Sequence, residues 1–424
     1  MNRIYFWLFS SFFFLFQILS INLYALDISL AAKSAILINA NNSQVIFEKN
    51  ADQSSYPAST TKIATALYAL HLKENALEER VTAQSEAIGS ISSSEKKKRR
   101  YQIPPYWIEQ GSSHVGIKRG ETFLLKDLIY AMMVASGNDA ANVIAQDVNG
   151  NITGFVEQMN RYLKEIGCRQ TNFLNPHGLH HPQHQTCARD LAIMTQKALK
   201  NEFFRKVVSS QTYLRPRTNK QEASLLSQTN HLIKEQSKHY YPKAIGVKTG
   251  YTSEAQYTLV AAANDGKREL IAVVLSCKDR EQSFSDVRKM FEAAFSESLE
   301  KKTFLKSGLQ SWKRKFEGSK EPLEVYSKKS VSLSFYPSEA PKVRANLIWH
   351  DLKLPIEKDQ KVATLKLYQT DSSFEESVDL FAYTELHESS WSRLMKHSLE
   401  YTFLCFFLSF GLLYMWLISR RQGP

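Results

Sequence analysis

Hydrophobic and polar positions change period several times along this chain. Over residues 35–47 two apolar stretches flank Asn41-Asn42, the pattern of a β-hairpin. Residues 257–263 and 270–277 flank Asp265-Gly266, and Asp-Gly between apolar runs is a stronger hairpin signal. Between these hairpins the period is helical, with apolar residues at Ile63, Leu67 and Leu70, then at Leu125, Leu128, Ile129, Met132 and Met133. Strands on either side of a helical middle predict an α+β domain over residues 26–296, in which distant strands share one antiparallel sheet packed with helices. The texture then changes. Residues 323–326, 331–336, 362–368 and 378–383 alternate, with Pro322, Pro337, Pro341 and Pro355 between them. They predict a small all-β domain over residues 297–389. It holds no constellation of catalytic residue types and reads as a stalk or spacer.

The two ends set the compartment. Arg3 precedes an uncharged run over residues 4–26 rich in Phe and Leu, which predicts an export signal over residues 1–25, cleaved near Ala25. Retention as an N-terminal anchor is the alternative, because the run exceeds the ~7–15 residues usual for a cleaved signal. Residues 401–419 carry no charge, surround a whole helix with apolar side chains and precede Arg420-Arg421. Their length approaches the ~20 residues needed to span a bilayer. They predict a transmembrane anchor with the body of the protein outside and the arginine pair on the cytoplasmic side. Residues 390–400 form a juxtamembrane amphipathic segment.

Charge and composition then sharpen the class. The 424 residues are 43% hydrophobic and 23% charged, which excludes a disordered or disulfide-dense chain. Lys plus Arg number 54 against 42 Asp plus Glu, a net charge of +12 that suits membrane, nucleic acid or cell-wall polymer. Export and anchoring argue against nucleic acid. They place the protein at the inner membrane, the body of the chain on the periplasmic face and the lipid bilayer a partner of its C-terminal segment. Cys405 lies inside the predicted span. Cys168, Cys187 and Cys277 have no metal or CxxC spacing and read as buried thiols with at most an incidental bridge.

Candidate chemistry begins at Ser59-Thr60-Thr61-Lys62, which opens the first helical stretch. Residues three apart share a helix face, so the Lys62 amine falls within reach of the Ser59 hydroxyl. Burial lowers a lysine's proton affinity, which lets it accept the serine proton at neutral pH. Ser93/Lys96 and Ser94/Lys97 satisfy the same spacing, but they lie in a polar, charged run over residues 92–100 that reads as a solvated loop. What distinguishes Ser59 is company in order: Ser136-Gly137-Asn138 after an apolar helix, then Lys248-Thr249-Gly250 on a strand beside a hairpin.

This set resembles the penicillin-recognising serine enzymes, which share S-x-x-K, S-x-N and K-T-G. The flanks at residues 56–62, 134–141, 175–179 and 246–252 are similar to the D-alanyl-D-alanine carboxypeptidases among low-molecular-mass penicillin-binding proteins. The resemblance implies the serine transpeptidase/β-lactamase-like fold and a partner in the peptidoglycan stem peptide ending in D-Ala-D-Ala. It implies β-lactams as covalent inhibitors, and neither cofactor nor metal. By it, Ser59 is the nucleophile, Lys62 its base and Ser136 a proton relay to the leaving amine. Asn138 holds Lys62 and the substrate amide, and Lys248 and Thr249 bind the terminal carboxylate. Gly250 borders the substrate, and the Ser59 and Tyr251 N–H groups form the oxyanion hole. Thr171 stands where class A β-lactamases carry a deacylating glutamate, so the resemblance implies that penicillin acylates Ser59 and stays.

Two departures accompany the resemblance. Residues 89–113 form an insertion between the first two motifs, and no arginine stands around Gln228-Thr229-Asn230-His231 to help bind a carboxylate. His177, His180, His181, His184 and Cys187 crowd together, but Pro176, Gly178 and Pro182 break any helix that could align them as metal ligands. Two alternatives share this fold: a DD-endopeptidase acting on crosslinks through the same residues, and a catalytically weak wall-binding protein. The intact motifs favour catalysis, since binding alone needs no activated nucleophile.

Overall fold

A computed structural model describes residues 26–369 and 374–419, so the export signal expected over residues 1–25 lies outside the described residues. Two compact units divide between Glu297 and Ser298.

The first unit is built on a five-stranded antiparallel sheet. Its strands are β1 (Ser34–Asn39), β2 (Val45–Lys49), β3 (Ala244–Thr252), β4 (Gln256–Asn264) and β5 (Glu269–Cys277), in the order β2-β1-β5-β4-β3. Both predicted hairpins are present, and β1 pairs with β5, Ile36 facing Val273. This joins the two ends of the helical middle in one sheet. Alternate residues of a strand point to opposite faces, and here both faces are covered. Ile271, Val273 and Leu275 enter the larger core beneath the helices, while Leu270, Ala272 and Val274 meet Phe284, Val287 and Phe291. Each large side chain so buried contributes about 1.5–3 kcal/mol.

The helices that carry the site are α1 (Lys62–Lys73), α2 (Ser93–Lys98), α3 (Leu125–Val134) and α4 (Asn138–Asn149). Every side chain of α1 from Lys62 to Leu70 is buried, as expected of a helix packed on all sides. Strand β3 ends the sheet order and, among the described residues, leaves one edge without a sheet partner.

The charged run over residues 92–100 is largely exposed, as its composition suggested, but it is helical rather than a loop and one of its lysines is buried. Ser92 caps α2 by accepting from Glu95 N at 3.2 Å, and Lys96 is only 2% exposed. The reason is a partner thirteen residues on: residues 90–91 pair with residues 108–109, which brings Glu109 Oε1 to 2.7 Å from Lys96 Nζ.

In the second unit Gly308–Arg314, Leu323–Ser327, Glu375–Ala382, Lys361–Gln369 and Val343–Trp349 lie side by side in that order, all antiparallel. Leu323, Val325, Leu365, Val378 and Leu380 form its core. The segments expected as juxtamembrane and transmembrane fall within one continuous helix, Ser390–Ser419, which exposes Phe406, Phe407, Leu412 and Trp416. Among the described residues no helix is long and apolar enough to cross a membrane.

Candidate active site

Ser59 lies in a short 3-10 turn, Ala58–Thr61, that runs directly into α1. Lys62, the first residue of α1, is fully buried. Its Nζ lies 3.1 Å from Ser59 Oγ, 2.6 Å from Asn138 Oδ1 and 2.8 Å from the His177 carbonyl oxygen. Burial pushes the Lys62 amine well below the ordinary lysine range; the nearby Lys248 adds to this, and Asp139 opposes it. In its free-base form, which this lowering favours, the amine has two N–H donors and one lone pair. The two carbonyl oxygens take the donors, which leaves the lone pair for the Ser59 hydroxyl.

The loop from α3 to α4 presents the second motif. Ser136 is buried with φ 62°, and Gly137 caps the helix that begins at Asn138. Asn138 therefore meets Lys62 through its oxygen while its Nδ2 donates to Ser112 Oγ at 3.0 Å. Ser136 makes no direct hydrogen bond to Ser59 or Lys62 among the described residues. The buried Asp139 carboxylate accepts from Val115 N, Ile117 N and Ala140 N at 2.9–3.1 Å, pinning the end of the insertion beside the site.

Edge strand β3 supplies the third wall. Lys248 is fully buried, its Nζ donating to the Thr249 carbonyl at 3.0 Å, and burial pushes its pKa down to about 7. Thr249 Oγ1 donates to Thr229 Oγ1 at 2.7 Å. Gly250 has to be glycine: a Cβ there would lie 2.4 Å from Thr258 Oγ1 and 2.9 Å from Ser59 N. This contact aligns the backbone around Ser59 and Tyr251, whose ring is exposed and packs against Tyr257. Gly178 is likewise forced, with φ 93° and a Cβ position 1.8 Å from the Ala58 carbonyl oxygen. Positive φ at Ala58 (49°), Ser136 (62°) and Val247 (103°) gathers backbone strain next to each motif, at about 1–3 kcal/mol per residue.

Two of the crowded histidines, His177 and His184, are held by structural hydrogen bonds. His177 Nδ1 accepts from Leu179 N, so Nε2 donates to the Tyr106 carbonyl at 3.1 Å. His184 Nδ1 accepts from Leu174 N, so Nε2 donates to Thr61 Oγ1 at 2.9 Å. Burial keeps both neutral, His184 at about 3. Among the described residues no group of His, Cys, Asp or Glu is placed to hold a metal ion. Cys168, Cys187 and Cys277 are free, buried thiols. Thr171 is spent on Thr186 and Asp190, at 2.8 and 2.7 Å. Ser112, Thr229, Asp139 and the His177 carbonyl were not visible as site residues in the sequence, because each acts through a contact made only in the fold.

A serine beside a buried lysine of lowered pKa, faced by a second buried lysine on an open strand edge, is the equipment of a serine peptidase of the penicillin-binding fold. Residues 23–279 match the Peptidase S11 family, D-alanyl-D-alanine carboxypeptidase, and the chain belongs to that family. It is a serine-type hydrolase. It is 33% identical over 355 residues to D-alanyl-D-alanine carboxypeptidase DacF of Bacillus subtilis (strain 168), a match covering 82% of this chain and 84% of the relative. The crystal structure of D-alanyl-D-alanine carboxypeptidase DacD from Francisella tularensis superposes with a TM-score of 0.58 at 22% identity, covering 86% of this chain and 96% of that one. Penicillin binding protein 5 from Haemophilus influenzae gives 0.57 at 24% identity, covering 85% and 99%. These two likenesses establish the α+β fold.

Proposed function

We propose that this protein is a membrane-anchored carboxypeptidase that removes the terminal D-alanine from peptidoglycan stem pentapeptides through an acyl ester on Ser59. The observation that carries this reading is the buried Lys62 amine 3.1 Å from Ser59 Oγ. Ser59 attacks the carbonyl joining the two D-alanines as Lys62 takes its proton. The oxyanion sits against the N–H groups of Ser59 and Tyr251, placed where charge develops. Ser136 passes the proton to the leaving amine, and D-alanine departs. Water then attacks the ester, giving its proton to Lys62, which passes it to Ser59 Oγ as the acyl bond breaks and the shortened peptide leaves. Asn138 holds the Lys62 amine in place, and Lys248 and Thr249 take the terminal carboxylate, which the Lys248 ammonium suits when protonated.

β-Lactams enter by the same attack and persist: the opened ring keeps the leaving amine tethered over the ester where D-alanine would have departed, and Thr171 brings no carboxylate to activate a water from another side. Residues 1–25 direct export, the helix Ser390–Ser419 holds the chain to the membrane through its exposed Phe406, Phe407, Leu412 and Trp416, and the β unit acts as a spacer, which keeps the catalytic unit on the periplasmic face. Intact-mass spectrometry with and without penicillin, beside Ser59→Ala, tests the reading together with D-alanine release from a pentapeptide. A stoichiometric adduct absent from Ser59→Ala, with D-alanine released, is the expected result. A folded protein giving neither adduct nor release would overturn it, and rapid turnover of a chromogenic cephalosporin would overturn the persistent ester.

A further inference from the structure

The five-stranded sheet of the second unit has two outer strands, and they are protected unequally. Strand Gly308–Arg314 pairs irregularly, its register shifting between Leu309 and Lys313, and it ends on the cations Lys313 and Arg314. Irregular pairing and lysines keep an edge from adding another strand. On the opposite side, Val343–Trp349 pairs with Lys361–Gln369 over its whole length without a shift, holds no proline and carries a single charge, Arg344. Arg344, Ala345, Asn346 and Ile348 are exposed.

The direction of the free backbone groups on this edge follows from its pairing. His350 N donates to the Val362 carbonyl at 3.0 Å in the same register, so even-numbered residues turn their N–H and C=O groups toward the neighbouring strand. Odd-numbered residues turn theirs outward. Val343 N is folded back onto the Pro341 carbonyl at 3.1 Å, but no strand meets the N–H and C=O groups of Ala345 and Leu347 among the described residues. The side chains of Val343, Leu347 and Trp349 pack against the core of the unit and stay only partly buried, while those of Arg344, Asn346 and Ile348 lie on the other face.

A strand that fits here is apolar on the core side and sets no like charge opposite Arg344. This strand meets both terms itself. Laid antiparallel about its midpoint, Asn346, a second copy exchanges backbone hydrogen bonds twice between Ala345 and Leu347. On the core side Val343 stands opposite Trp349 and Ala345 opposite Leu347, each a smaller side chain against a larger one. On the other face Arg344 stands opposite Ile348, and the Asn346 amide, donor and acceptor at once, faces its equal. Beyond the strand, the exposed Lys342 of one copy comes beside the exposed Asp351 of the other, at both ends. Centring the pairing on Arg344 instead would set two guanidinium groups against each other. We propose that two copies of this protein associate through Val343–Trp349, in an isologous antiparallel pairing that joins their second-unit sheets into one.

This inference does not depend on the carboxypeptidase reading, and its test leaves that reading untouched. Full-length protein in detergent carries Cys405→Ser, which removes the exposed thiol, with either Asn346→Cys or Ile348→Cys; the other three cysteines are buried. Each protein is oxidised with copper phenanthroline and run on a non-reducing gel. In the proposed pairing the two copies of residue 346 have Cα atoms about 4.5 Å apart, within reach of a disulfide. The two copies of residue 348 lie about 13 Å apart along the strand. Asn346→Cys is therefore expected to give a linked dimer and Ile348→Cys to stay monomeric. Adding Ile348→Arg to Asn346→Cys sets like charges opposite each other and is expected to abolish the dimer, whereas Ile348→Glu, opposite Arg344, keeps it. Ala345→Pro, which removes an outward N–H not used inside the sheet, is also expected to abolish it. Equal linking at positions 346 and 348, as contact through the helix Ser390–Ser419 would give, overturns the inference. So does a dimer indifferent to Ile348→Arg, or a protein monomeric at both positions.

Discussion

Ser59 and Gly250 meet backbone to backbone: the position of a Cβ on Gly250 lies 2.9 Å from Ser59 N, inside the closest approach real side chains make. The third motif therefore touches the first through the absence of an atom. Gly250→Ala has to displace the Ser59 N–H or Thr258, whose Oγ1 donates to the Pro57 carbonyl at 3.0 Å and braces the turn before Ser59. Misplacing one oxyanion donor costs about 10²–10³ in rate. The penicillin acylation rate of Gly250→Ala should fall by about that factor while its circular dichroism stays that of wild type.

Asn138 offers Lys62 a neutral oxygen at 2.6 Å. Asn138→Asp would put a carboxylate there, and an opposite charge at that distance favours the ammonium form. The Lys62 pKa rises, less of it is free base at neutral pH, and the acidic limb of the acylation pH profile moves to higher pH. Stopped-flow acylation by penicillin between pH 5 and 10 reads this shift; an unmoved limb would mean that Lys62 is not the base.

Lys248 sits at about pH 7 because burial disfavours its charged form. Below that pH the free enzyme holds an ammonium ready for the substrate carboxylate; above it the charge is lost, and binding must bring a proton with it. KM for a D-Ala-D-Ala peptide should rise with pH above 7, by at most about tenfold per pH unit. The kcat profile should follow Lys62 instead. Lys248→Gln should raise KM and abolish its pH dependence in that window.

The parts of this fold that could be read in advance depend on local order. Strands β4 and β5 announce themselves as apolar runs around Asp265-Gly266, and Ser59 and Lys62 lie one helical turn apart, so neither needed the fold to be seen. What escaped depends on partners distant in sequence. Lys96 looked solvated in a run of charges because Glu109 is brought to it by a two-residue strand pair with no periodic signal. Thr229 and Ser112 belong to no motif, yet each holds one of the motif residues in place. Strand Glu300–Leu305 was missed because all but its last two side chains are exposed, so no alternation marks it.

Asp139 separates positioning from chemistry more sharply than any other residue here. Its buried carboxylate holds Val115 N and Ile117 N, and through them the segment that carries Ser112 to Asn138. Asp139→Ala leaves buried donors unsatisfied and should cost about 2–3 kcal/mol. For a unit of this size that lowers Tm by roughly 4–5 °C in thermal unfolding. Asp139→Asn keeps an acceptor and should lose less. It also removes the negative charge that opposes the lowering of the Lys62 pKa. The acidic limb of acylation in Asp139→Asn should therefore move to lower pH, opposite to the shift in Asn138→Asp. If Asp139 only held the loop, Asp139→Asn would slow acylation at every pH and leave the limb where it is. Neighbouring residues on one helix turn would then shift one lysine in opposite directions, a pattern that loosened packing does not produce.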